Sequence, residues 1–108
     1  MKLRNGFVSN SSSSCFLVSN LWNDTQTLAA FIRENTQLVD QYNMEHKGTR
    51  HYTHKEVVEC AEAEHLDFGP AEDKVVAFGE QYNALGDVCR WMTDGRSPNW
   101  KWQFLYTD

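Results

Sequence analysis

The residues best suited to chemistry lie together in the middle of the chain. All four histidines, His46, His51, His54 and His65, fall within twenty positions, with Cys60 and several glutamates among them. Imidazole, thiolate and carboxylate are the usual zinc ligands, so a metal site is one reading of this segment. The spacing restricts it. On a helix His54 and His65 are about three turns apart, too far for both to reach one ion, so His51 or His46 would have to fold back onto His54. Neither an HExxH pair nor a CxxC anchor is present to fix such a site. Surface histidines at a wet helix end account for the same pattern without a metal, and no cofactor is expected.

Two further groups of residues invite a chemical reading. Ser11, Ser12, Ser13 and Ser14 give four consecutive hydroxyls and small-residue amides, which can form a concave nest for an anion or serve as phosphorylation targets. No GK[ST] ending accompanies them, so a Walker phosphate loop is not indicated. No GxSxG elbow marks one serine as an activated nucleophile. A flexible loop at 9–14 whose hydroxyls satisfy their own turns is the simpler account. Near the C-terminus, Trp100, Trp102, Phe104 and Tyr106 alternate as one face of a strand, with Arg90, Arg96 and Lys101 close by. Aromatics beside cations can stack single-stranded nucleic acid, but in a chain this small such a stripe is more readily one wall of the core.

The elements that must position these residues are set by periodicity. Cys15 to Val18 is a short apolar run that reads as a buried strand, and LRNGFV before it offers a hairpin arm. Asn23 or Asp24 offers an N-cap, after which Leu28, Phe31, Ile32, Val39 and Tyr42 predict one amphipathic helix from about Thr25 to about Tyr42. A second helix opens on the capping box of Thr53 and Glu56. Its apolar stripe is Val57, Val58 and Ala61; Glu56, Glu59, Glu62 and Glu64 make the rest acidic, and Asp67-Phe68-Gly69-Pro70 breaks it. Lys74 to Phe78 reads as a strand, Leu85, Val88, Cys89 and Met92 as a third helix, and Trp100 to Tyr106 as the last strand. The turn signals of Asp94-Gly95 and Ser97-Pro98 stop that third helix. The expected fold class is α+β: a small two-layer domain of three or four mostly antiparallel strands with about three helices on one face, spanning residues 1–108 as a single domain.

Composition bounds the function. Fifteen acidic against ten basic residues give a net charge of −5, a field that repels phosphate backbones and favours basic partners. Direct nucleic-acid binding is therefore not expected. Three scattered cysteines suit a reducing cytoplasm rather than a disulfide framework. No apolar run approaches the ~20 residues of a membrane span, and Lys2 and Arg4 are not followed by the apolar segment of a secretory leader.

The stretch Arg4-Asn5-Gly6-Phe7-Val8-Ser9-Asn10-Ser11-Ser12-Ser13-Ser14-Cys15-Phe16 resembles the N-terminal RxGFVSNSSSSSF signature of many small proteins of bacteriophages and other prokaryotic mobile elements. Cys15 stands where those proteins usually carry a further serine. The resemblance covers these 13 residues, and implies phage provenance and a constrained N-terminus without naming a reaction. Together with charge and size it predicts a phage-encoded accessory protein in the host cytoplasm, not an enzyme. Such a protein would bind a host or defence macromolecule through Glu56, Glu59, Glu62 and Glu64. Two alternatives stand beside it. One is a virion structural or assembly protein using the serine-rich arm; the other is a metal- or phosphate-binding protein using His51 and His54 or the serines.

Overall fold

The structure, a computed structural model, describes residues 13–48, 51–79 and 83–107. In chain order its ten elements are β1 Ser14–Asn20, β2 Gln26–Thr27, α1 Leu28–Glu34, α2 Gln37–Glu45, α3 His54–Ala63, β3 Asp67–Phe68, β4 Asp73–Phe78, α4 Ala84–Cys89, β5 Gly95–Ser97 and β6 Trp100–Thr107. Strands β4, β1, β6 and β5 form, in that order, an antiparallel sheet, and β2 with β3 forms a separate two-stranded ladder. The architecture is α+β with four helices among the described residues.

The apolar run of β1 is central because both its edges are used: it pairs with β4 from Ser14 to Ser19 and with β6 from Ser14 to Asn20. The LRNGFV segment, expected as a hairpin arm, lies outside the described residues. The pairing of β1 also claims part of the serine run. Ser14 is the first residue of the strand, opposite Phe78 and Thr107, and Ser13 is buried. Ser11 and Ser12 lie outside the described residues.

Alternation places Phe16 and Val18 of β1 on one face with Val76 and Phe78 of β4 and Trp100 and Trp102 of β6. Against this face pack Leu28, Phe31 and Ile32 of α1, Val39 and Tyr42 of α2, Val57 and Ala61 of α3, and Leu85, Val88 and Cys89 of α4, forming one core. The C-terminal aromatic stripe is thus core at Trp100 and Trp102. It does not continue to Tyr106. Cys15 faces Tyr106 whereas Phe16 faces Phe104, so Leu105 is an extra residue. Such a bulge inverts the facing of the residues after it, and Tyr106 sits on the opposite side of the sheet from Phe104. β5 is a further difference: Gly95 to Ser97, expected to be only a turn, forms a hairpin arm against β6 with Pro98-Asn99 as its loop. Gly95 is required there, because a Cβ would lie 2.6 Å from the Trp102 ring.

The single helix expected from Thr25 to Tyr42 is two helices. The N-cap is Thr27, whose hydroxyl accepts from the Ala30 amide at 3.1 Å, since residues 26 and 27 are held in the ladder with Phe68 and Asp67. The break comes at Asn35. Its side chain is fully buried and donates from Nδ2 to the Phe31 carbonyl at 2.8 Å, taking the place of a helical amide. Its backbone leaves the helical region at φ −133° and ψ 49°. Leu38, Val39 and Tyr42 are then buried by a redirected helix.

Candidate functional site

Helix α3 is positioned from both ends and along one stripe. At its start the Thr53 hydroxyl accepts from the Glu56 amide at 3.1 Å, and the Glu56 carboxylate accepts from the Thr53 amide at 2.9 Å, completing the expected capping box. Val57 and Ala61 are buried between α1 and α4, and Val58 is half-buried. The helix ends at Ala63, and His65 beyond it lies in the left-handed region at φ 53°. The two-residue strand β3 then carries Asp67 and Phe68 away.

This geometry divides the four glutamates. Glu56 serves the cap and supports the fold, so its removal would disturb the helix itself. Glu62 accepts from Arg33 Nη2 of α1 at 2.7 Å across exposed surface, a pair worth only ~0.2–1 kcal/mol in water. Glu59 stands 3.9 Å from Lys55, both well exposed, and Glu64 is exposed just past the helix end. No basic residue occupies the last turn of α3. Carboxylates at the negative end of a helix work against its dipole, so folding alone does not explain them.

Beside this acidic side, a shallow groove of about 450 Å³ runs between α3 and α4, lined among others by Tyr52, Glu56, Glu59, Cys60, Ala63 and Ala84. Its floor is apolar and its rim anionic. The Tyr52 hydroxyl donates to Asp87 Oδ2 at 2.5 Å, fixing one end. A lysine or arginine could lay its methylene stem on such a floor with its charge among the carboxylates.

The histidines do not assemble. His54 Nε2 lies 2.7 Å from Asp40 Oδ1 on the surface, and His51 is exposed. His46 stacks on Tyr42 with ring centroids 4.2 Å apart and donates from Nδ1 to the Tyr42 carbonyl. Among the described residues no three His, Cys, Asp or Glu side chains come together as a metal site. Sequence spacing did not disclose His46's role, because it depends on α2 continuing to Glu45 and bringing the ring over Tyr42 and beside Trp91.

The cysteines are free. Burial in α4 pushes the Cys89 thiol up, far above the ordinary thiol range, and keeps it a neutral packing group. The sign of the consequence is fixed. An unfolded chain releases this proton near pH ~8.5, so the stabilisation is complete below that value and is lost as pH rises toward the folded-state value. Denaturant titrations at pH 7, 9 and 10 are expected to show a steeper alkaline loss of stability for the native chain than for Cys89→Ala, the difference approaching ~1.4 kcal/mol per pH unit. Parallel curves would contradict the assignment.

Comparison with known proteins finds no matching family model, no matching curated sequence and no matching solved structure. The surface chemistry of this chain therefore carries the functional reading. No helix among the described residues is long and apolar enough to cross a membrane.

Proposed function

We propose that this chain is a phage-encoded accessory protein acting in the host cytoplasm, where α3 engages a basic surface on a host or defence protein. The supporting observation is the placement of Glu62 and Glu64 at the exposed negative end of a helix with no base in its last turn, with exposed Glu59 in mid-helix beside a groove that has an apolar floor. A groove on the partner that ordinarily holds nucleic acid would match this charge. Complementary fields of this kind govern association rate and partner choice more than final affinity.

The test begins with a C-terminally tagged chain recovered from infected cells and identification of what accompanies it. A single host or defence protein in stoichiometric amount is expected. With that partner in hand, Glu59→Lys combined with Glu64→Lys should weaken binding ~10-fold or more, chiefly through slower association, with the deficit shrinking as salt rises. Thermal unfolding should be nearly unchanged, because neither side chain is buried or caps the helix. Recovery only with capsid or tail proteins would overturn this reading in favour of a virion role. A partner indifferent to the double substitution would remove α3 from the interface.

A further inference from the structure

The four helices cover one face of the sheet; the other face has a chemical pattern of its own. Register places on it three cross-strand rows: Asp73, Ser19, Lys101 and Arg96; then Val75, Leu17 and Gln103; then Ala77, Cys15 and Tyr106. None of these residues belongs to the core formed with the helices. Val75 is 57% exposed and Tyr106 53%, Leu17 between them is half-buried, and Cys15 and Ser19 on the central strand are already buried within the chain. The centre of the face is thus apolar, its β4 side ends in a carboxylate and its β6 and β5 side in two cations.

Those cations are poorly placed for an isolated chain. Arg96 lies directly opposite Lys101 in the β5·β6 ladder, and like charges in that position oppose pairing. Among the described residues no carboxylate pairs with either, and none of the cations pairs with Asp73. The unpaired charges have opposite sign and sit in one row at opposite sides of the same apolar patch.

We propose that a second copy of this chain covers this face, forming a two-fold homodimer through sheet-on-sheet packing. A two-fold axis parallel to the strands and lying between two stacked sheets exchanges left and right while preserving position along the strands. It lays β4 of one copy over β5 and β6 of the other. Asp73 then meets the Arg96 and Lys101 of the second copy, the reverse contact occurs at the other side, and Leu17 meets its own counterpart near the axis. The pattern is therefore self-complementary under the operation that an isologous interface requires. Two sheets packed this way sit about 10 Å apart with strands nearly aligned. The interface is independent of α3, which lies in the helix layer on the far side of the sheet, and it would leave two acidic helices facing outward for bivalent binding.

The decisive measurement is sedimentation velocity on the full chain from ~1 to ~200 µM, a range suited to a small interface. The expected species is twice the 12.5 kDa chain mass. Asp73→Lys should give a folded monomer, as should Val75→Glu, since both side chains are exposed and circular dichroism should be unchanged. Combining Asp73→Lys with Arg96→Glu and Lys101→Glu restores complementarity with reversed sign and should restore the dimer. A native chain monomeric throughout this range overturns the proposal. So does a dimer that survives Asp73→Lys. Neither outcome bears on the binding test at Glu59 and Glu64.

Discussion

Asn20→Leu is expected to destabilise this protein by ~3–5 kcal/mol, from a total that for such domains is ~5–15 kcal/mol. Asn20 ends β1 with no exposed surface. Its Nδ2 donates to the carbonyls of Asp24 at 2.8 Å, Gly69 at 3.0 Å and Phe68 at 3.3 Å, and its Oδ1 accepts from the Trp22 amide at 2.9 Å. One side chain thereby ties the loop leaving β1 to the turn between β3 and β4, where the Asn20 amide also donates to the Glu72 carbonyl. Leucine has the same number of side-chain heavy atoms but is bulkier, and it makes none of these side-chain hydrogen bonds, so overpacking adds to their loss. Each buried backbone group left without a partner costs ~1–3 kcal/mol, reduced where water can enter from the exposed side of the loop. Asn20→Asp should fare little better, because it sets a carboxylate among three carbonyl oxygens. Urea denaturation measures both effects, and a loss below ~1 kcal/mol for Asn20→Leu would show that the network contributes little.

Asn20 also illustrates what the sequence discloses and what it hides. As a polar residue after Cys15 to Val18 it looks like the end of a strand, and only the meeting of two distant loops makes it a buried hub. Asn35 hides in the same way. Leu28, Phe31, Ile32, Val39 and Tyr42 keep helical spacing straight through position 35, so periodicity predicts one helix. The only local signal is an asparagine on the apolar stripe, a residue that competes for backbone hydrogen bonds. Local rules succeed where the interaction is local: the Thr53 and Glu56 box is formed as read, and the runs around Phe16 and Val76 are strands. They fail where pairing decides. The three residues of β5 are a strand only because β6 is beside them, and the bulge at Leu105 that turns Tyr106 from the core depends on its register with β1. The same division holds for the candidate site. The acidic character of α3 was legible, but the commitment of Glu56 to the cap and of Glu62 to Arg33 separates residues that composition treats alike.

Trp100→Ala should cost ~3–5 kcal/mol, comparable to the loss at Asn20 but by a different route. Trp100 is fully buried at the seam between sheet and helices, with its ring 5.3 Å from Phe31 and 5.3 Å from Phe68, both edge-on. Phe31 belongs to α1 and Phe68 to β3, so the indole joins the main sheet to the first helix and to the small ladder. Alanine leaves a cavity that three separately anchored elements cannot close together. Trp100→Phe isolates the cause. It keeps an aromatic face for both neighbours and removes an indole N–H that finds no hydrogen-bond partner among the described residues, so relief of that buried donor offsets part of the lost volume. The phenylalanine variant is expected to lose less than half as much as the alanine variant. Trp91→Ala is the control, since Trp91 is 54% exposed and its ring packs beside His46 rather than in the seam, and its stability loss should stay well below that of Trp100→Ala. If Trp100→Ala were as mild as Trp91→Ala, the helices would not depend on this seam, and the placement of α3 by α1 would have to come from contacts elsewhere.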